Sequence, residues 1–482
     1  MKFGHFSSPC VAAVAGTFNK IIAMYPNHSF IKTGVEIIIK ITVVDSIMGS
    51  GKTTAMLEKV NADLEGSYIY VTPYLSEIDR VIEQTQYRFK QPYNTGRGKL
   101  DALHKLLATG ESVVTTHALF LMATAETVQL IHEGDYTLIL DEAMDIFKEY
   151  NEVVKSLDNK TITKGDVRWL KQEGYILVSD DYCVEWSGAA ADDFHYSEVE
   201  RLAKSGCLRC IDDTLYWEYP VEVFTAFKRT YILTYLFEGS MLAAYMRIYG
   251  LPYTNCSAER TESGGFRLCL YDDGKDRKSA LFPLVNIYAG ELNRIGSKTN
   301  AFSVNWLKGR SSEEIRVIQN AMRNYKGKMN APTDSVMWTT TKQHDIYKKL
   351  EKTRGFKYIR RLTADEHRLP DEEKRKLQCF VSCTARATND YAERTTLLYL
   401  LNRYLPPEIE KYFSRRGSPI DEDRFATGEL LQWIWRSAIR NDHSINLYIP
   451  SSRMRNLLFR WFGVYEAVYQ PRTKRVLEKA LL

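Results

Sequence analysis

A short turn between a strand and a helix constrains this chain more than any other feature. The β-branched run VEIIIKITVV (35 to 44) ends at Ser46-Ile-Met-Gly49-Ser50-Gly51-Lys52-Thr53-Thr54, and TTAMLEKVNADL then shows helical spacing. Strand, glycine-rich loop and helix are the context a phosphate-binding loop requires. Glycines let backbone N–H groups converge on phosphate, the helix N-terminus adds positive potential, Lys52 reaches the β and γ phosphates, and Thr53 ligates Mg²⁺. Gly49, Ser50, Gly51, Lys52, Thr53 and Thr54 are therefore the candidate nucleotide-binding residues. The full pattern begins with Gly, where this chain has Ser46.

The alternation then repeats. SYIYVT precedes a helical stretch through Arg80, SVVTT (112 to 116) precedes a helix to about 131, and YTLILDE (136 to 142) follows. Strands alternating with helices predict a doubly wound, mostly parallel α/β sheet with ligands at the strand carboxyl ends. Leu138-Ile-Leu-Asp141-Glu142-Ala-Met144 ends a buried strand in two carboxylates. Asp141 suits Mg²⁺ and Glu142 suits the attacking water, so adjacent acids divide metal binding from base work.

From about 150 to 220 short strand pairs such as YILVSDDYCVEW indicate a β-rich insertion. Helix and strand resume in VFTAFKRTYILTYL. Beyond a polar stretch, a second αβ alternation is expected: a helix at 311 to 325, a strand at SVMWTT, a charged helix at 342 to 353, a strand at CFVSC, a helix at 391 to 404, an amphipathic helix at 427 to 440 and a strand at INLYIP. The expected layout is an extension at 1–34, a first domain at 35–255 containing the insertion, and a second at 256–482.

With DEAM where the DEAD/DEAH box would stand, the chain resembles the superfamily two helicases, most closely small phage-encoded members, over roughly residues 36 to 462. The resemblance implies two RecA-like domains in tandem that sandwich ATP with Mg²⁺ and grip one nucleic-acid strand across both. Tyr70-Val-Thr72-Pro73-Tyr74 and Val114-Thr115-Thr116-His117 resemble strand-contact motifs, which makes Thr72, Pro73, Thr115, Thr116 and His117 candidate contacts. Ile232-Leu233-Thr234-Tyr235 stands where the family links hydrolysis to domain movement. In the second half, Val336-Met-Trp338-Thr339-Thr340 resembles the strand opening the second domain, and Ala387-Thr388-Asn389 a motif touching both nucleic acid and nucleotide, adding Thr339, Thr388 and Asn389. Gln432-Trp-Ile-Trp-Arg436-Ser-Ala-Ile-Arg440 is similar to the family's Gln-x-x-Gly-Arg-x-Gly-Arg motif. Spaced at i, i+4 and i+8, Gln432, Arg436 and Arg440 are expected on one helix face, with either arginine able to serve as the finger on the γ-phosphate.

Net charge is only +5, so any nucleic acid must be held by a local groove. Single-stranded or forked nucleic acid is the expected partner, DNA before RNA, with replication proteins as possible associates. Eight cysteines without dense regular spacing fit a reducing cytoplasm. The pairs Cys207-x-x-Cys210 and Cys379-x₃-Cys383 lack the second pair that would complete a zinc signature. No run approaches the length of a membrane span. Besides the helicase or translocase, two readings stay open: a terminase-like DNA-packaging ATPase, and a nucleotide switch without motor activity.

Overall fold

The computed structural model describes residues 40–464 except 87, 95, 156–159, 189–194, 358–362, 364, 371–372, 375–376 and 385–389. The expected extension at 1–34 lies outside the described residues, as do Thr388 and Asn389.

From the amino end come β1 (Ile41–Asp45), α1 (Lys52–Ala62), β2 (Tyr68–Thr72), α2 (Leu75–Gln84), β3 (Val113–Thr116) and β4 (Thr137–Asp141). The insertion follows with β5 (Phe147–Glu149), α3 (Lys164–Gln172), β6 (Ile176–Val178), β7 (Val184–Trp186), α4 (Ser197–Lys204), β8 (Leu208–Ile211) and β9 (Thr214–Glu218). Next are β10 (Arg229–Thr234) and a hairpin of β11 (Tyr253–Arg260) and β12 (Phe266–Leu270). The second half holds β13 (Val285–Ile287), α5 (Ser312–Lys328), β14 (Val336–Thr339), β15 (Thr396–Tyr399), α6 (Pro407–Arg415), α7 (Glu422–Ile434), β16 (Ile445–Tyr448) and α8 (Ser452–Trp461).

Two mostly parallel sheets result, the doubly wound α/β pattern expected from the alternation. The first has the order β12-β11-β1-β10-β4-β2-β3, with only β12 antiparallel, and the second β13-β16-β15-β14. Both are covered on two faces, and alternate residues divide between them: Ile69 and Val71 enter one core of the first domain, Tyr68 and Tyr70 the other. β10 lies between β1 and β4, so Thr234 ends beside both the phosphate loop and the Asp141–Glu142 pair. The boundary expected at 255 falls inside β11, which belongs to the first sheet, and the second sheet starts only at Val285.

Several local expectations need correction. The helix expected at 391 to 404 is strand β15; flanked by β14 and β16 and buried on both faces, it carries a continuous apolar run without strand alternation. CFVSC is a single bridge, in which Trp338 N–H donates to Cys379 O at 2.9 Å and Val381 N–H to Trp338 O at 2.9 Å. The helix expected from SVVTT to 131 is broken where Thr124 caps a new helix, Ala125–Glu133. In place of the charged helix at 342 to 353, Gln343–Asp345 is a 3₁₀ turn and only Ile346–Leu350 is α-helical. The stretch from 150 to 220 contains α3 and α4 as well as four short strands, β6 to β9, so it is mixed, not simply β-rich.

The insertion also binds the second half of the chain. α6 gives Tyr412 and Phe413 to the first domain's core, and Phe147 stacks on Tyr412 at 4.6 Å. Beneath it Glu218, 1% exposed, pairs with Arg209 at 2.6 Å and accepts hydrogen bonds from Tyr412 Oη at 2.8 Å and Tyr249 Oη at 2.6 Å. Glu218→Ala removes the acceptor of all three and leaves the Arg209 charge buried. The expected loss is about 3–5 kcal/mol, read as a lower denaturant midpoint; an unchanged midpoint would mean the network adds nothing.

Candidate functional site

The phosphate loop sits at the carboxyl end of β1. Gly49 and Gly51 adopt φ of +80° and +84°, left-handed values that side chains resist. At Gly51 a Cβ would also run into the Phe266 ring, so the β12 edge closes the loop from one side. Ser46 has a local reason to stand where the usual pattern has Gly: its hydroxyl accepts from Ala258 N–H at 3.0 Å, and its own N–H donates to Thr234 O at 3.1 Å. Those bonds tie the loop's first residue to both strands that flank β1. Asp45, just before it, accepts from the N–H groups of Leu236 (2.7 Å) and Phe237 (3.1 Å), fixing the turn after β10.

Lys52 opens α1 with its ammonium folded back onto the loop, donating to Ser46 O at 2.6 Å and Ile47 O at 3.2 Å. Burial pulls its pKa down, while Glu142, Asp141, Asp45 and Asp276 favour the charged form. Thr53 and Thr54, one and two residues further on, are half-buried at the same helix end. This arrangement fits a nucleotide's phosphates: backbone N–H groups from a loop held open by two glycines, one cation and a helix N-terminus.

Opposite lie the paired acids. Burial, and then the Glu142 charge beside it, push the Asp141 carboxyl up to about 6. Glu142 has φ +67°, a strained value for a side chain with Cβ, and its N–H is held by Leu233 O at 2.9 Å. Among the described residues no cluster of three or more His, Cys, Asp or Glu could hold a metal unaided. Mg²⁺ does not require one, since it is commonly bound by one or two protein oxygens together with substrate phosphates. Asp141 and Thr53 fit that role.

Tyr70 opens the first strand-contact motif, but nothing in that motif points to a role beside Asp141. Its buried hydroxyl donates to Asp141 Oδ2 at 2.8 Å, fixing one carboxylate oxygen and leaving the other to a metal or its water. The only sequence signal is a Tyr two residues before Thr72 on a buried strand, which pattern alone assigns to core. Tyr70→Phe keeps the ring and removes the bond. The Mg²⁺ concentration giving half-maximal nucleotide binding is expected to rise about tenfold, checked by titrating a fluorescent nucleotide; an unshifted titration would remove Tyr70 from the site.

The strand-contact candidates line the carboxyl ends of neighbouring strands, with Thr72 opposite Thr116 in the β2–β3 register. Thr116 accepts from Leu119 N–H as a helix cap, and His117 Nε2 donates to Asp141 O at 2.9 Å. Thr72, Thr115 and Thr339 are buried and Pro73 is half-buried. Any contact of the three threonines with a strand would therefore fall to backbone groups more than to their hydroxyls.

The second domain meets this site directly. Ile47 of the phosphate loop and Tyr235 after β10 belong to the core built around β15, β16, α7 and α8. A Cβ on Gly239 would lie 2.8 Å from the backbone of Arg424 and Phe425, so α7 presses on the turn after β10. Gln432 Nε2 approaches Glu142 Oε2 at 3.4 Å. The expected single helix face is not found: α7 stops at Ile434, where the Ser437 hydroxyl takes the Ile434 carbonyl at 2.7 Å, and Arg440 sits on a separate 3₁₀ turn, Ala438–Asn441. The break separates the arginines. Arg436 is buried, whereas Arg440 is exposed and feels the charges of Glu77, Arg80 and Glu142.

No helix among the described residues is long and apolar enough to cross a membrane. Residues 279–462 match the YonV C-terminal Rossmann-like domain. Solved structures similar to the chain include XPD_APO, at 12% identity and TM-score 0.49 over 91% of this chain and 95% of that one. Another is the structure of S. tokodaii Xpd4, at 14% identity and TM-score 0.45 over 94% and 98%. The SPbeta prophage-derived uncharacterized protein YonV of Bacillus subtilis (strain 168) is 36% identical over 433 residues, which cover 88% of this chain and 98% of that protein. With that identity over nearly the whole of both proteins, the chain belongs to the YonV family.

Proposed function

We propose that this protein hydrolyses ATP to drive movement along a nucleic-acid strand, as a helicase or translocase. The observation that carries the reading is the approach of Gln432 from the second domain to Glu142 of the first, with Arg440 on the same side. A nucleotide held by Gly49–Thr54 would then touch both domains, and its hydrolysis would change their contact.

In this reading Lys52 and the loop N–H groups hold the phosphates, Thr53 and Asp141 hold Mg²⁺, and Glu142 orients the attacking water. Bound Mg²⁺ supplies charge neutralisation at the phosphate oxygens. Arg440 faces the charge that develops on the γ-phosphate, and Gln432 fixes Glu142. The strand lies across Thr72, Pro73, Thr115, Thr116, His117 and Thr339; Thr388 and Asn389, outside the described residues, are assigned to it by the motif resemblance alone. DNA is the favoured substrate, phage replication or recombination the process and the host cytoplasm the place; the relative's prophage origin supports the last two.

The deciding measurement is phosphate release with single-stranded DNA, duplex DNA, RNA and no nucleic acid. Single-stranded DNA is expected to stimulate most. Its apparent affinity should fall steeply with salt, because each neutralised phosphate releases counterion. Equal hydrolysis in all four conditions would leave a nucleotide site without a motor.

A further inference from the structure

The insertion is charged opposite to the rest of the chain. Residues 150–220 carry eight Lys and Arg against fourteen Asp and Glu, a net of −6 in a protein whose total is +5, so the remainder is +11. Most of the basic side chains there are already engaged: Arg168 and Lys171 on Asp213, Arg201 on Glu198, Lys204 on Glu200 and Arg209 on Glu218.

On this acidic unit lies an apolar face. Trp169, on α3, stacks on Tyr175 at 5.4 Å and on Tyr196 at 5.7 Å, yet remains 43% exposed. Leu177 of β6 is 55% exposed on this face, and Val178, on the strand's other side, is 36% exposed. Among the described residues β6 pairs only with β7, so it is an edge strand presenting aliphatic side chains, which folded proteins usually blunt or cover. Three exposed acids rim the face: Glu173 one helical turn beyond Trp169, Asp180 after β6, and Glu185 directly across from Leu177 in the β6–β7 register. None of the three forms an ion pair among the described residues.

We propose that this face docks a protein partner through an apolar segment flanked by Lys or Arg. An aromatic and aliphatic centre within a charged rim is the composition of a protein interface, and unpaired carboxylates select a basic partner. A single nucleic-acid strand could also stack on Trp169, but its phosphates would meet Glu173, Asp180 and Glu185 without a compensating cation.

The test uses the full chain and three labelled probes: a short peptide alternating Lys and Val, the same peptide with Glu for Lys, and oligothymidylate. Fluorescence anisotropy should show the Lys peptide binding and the Glu peptide not. Leu177→Asp should weaken the Lys peptide about tenfold, and Glu173→Lys with Glu185→Lys should weaken it comparably. Leu177 is half exposed, so its variant is expected to fold, which thermal unfolding verifies. Oligothymidylate binding should be unchanged in both variants. The proposal is overturned if the Lys peptide does not bind, or binds every variant alike. It is equally overturned if oligothymidylate binding falls with Leu177→Asp, because the face would then belong to nucleic acid.

Discussion

Lys52→Ala is expected to slow ATP hydrolysis about a thousandfold, read as phosphate release under saturating single-stranded DNA. The reasoning starts from where the ammonium is. Lys52 is 8% exposed, and its Nζ is held by two carbonyls of its own loop, Ser46 O and Ile47 O. Those acceptors are neutral, so a phosphate oxygen with full negative charge competes well for the same ammonium. Once there, Lys52 would stabilise charge on the leaving and transferring phosphates, with the carboxylates of Asp45, Asp141, Glu142 and Asp276 around it favouring its charged form. Removing the ammonium takes away the cation buried among those carboxylates. Nucleotide affinity should therefore fall with the rate, and Lys52→Arg should restore only part of either, since a planar guanidinium does not fit a space shaped for an ammonium. Turnover unchanged in Lys52→Ala would mean that hydrolysis occurs elsewhere or not at all.

The parts of this site that were legible in the sequence are those whose chemistry is local. The glycines at 49 and 51 are required by positive φ, and the acids at 141 and 142 follow a strand that must be buried. Neither needs knowledge of a distant contact. What the pattern could not reveal depends on partners far along the chain. Tyr70 is an unremarkable strand residue until β4 places Asp141 beside its hydroxyl, 71 positions away. β15 reads as helix in the pattern because a central parallel strand loses the polar alternation that marks a half-exposed one. The split of Gln432, Arg436 and Arg440 between α7 and a 3₁₀ turn has a different origin. Helical spacing continues through 440 as a pattern of residue types, but the Ser437 hydroxyl competes for the Ile434 carbonyl and stops the helix early.

That early stop leads to the second large effect. On a continuous helix Arg436 and Arg440 would share a face, and either could serve the γ-phosphate. With the helix ended, Arg436 is only 5% exposed within the second domain, while Arg440 remains at the surface with Glu77, Arg80 and Glu142 of the first domain in its field. A finger must be free to follow a developing charge, and of these two arginines Arg440 is the one at the surface. Arg440→Ala is therefore expected to lower the rate at saturating ATP by at least about a thousandfold while leaving thermal unfolding and nucleotide affinity near their original values. Arg436→Ala should act in the reverse sense, lowering the unfolding temperature because it removes a buried side chain. Measuring rate, nucleotide affinity and unfolding for both variants separates the two roles. Hydrolysis by Arg440→Ala at the unaltered rate would dismiss it as the finger, and together with an active, stably folded Arg436→Ala it would remove both arginines of the motif from the chemistry.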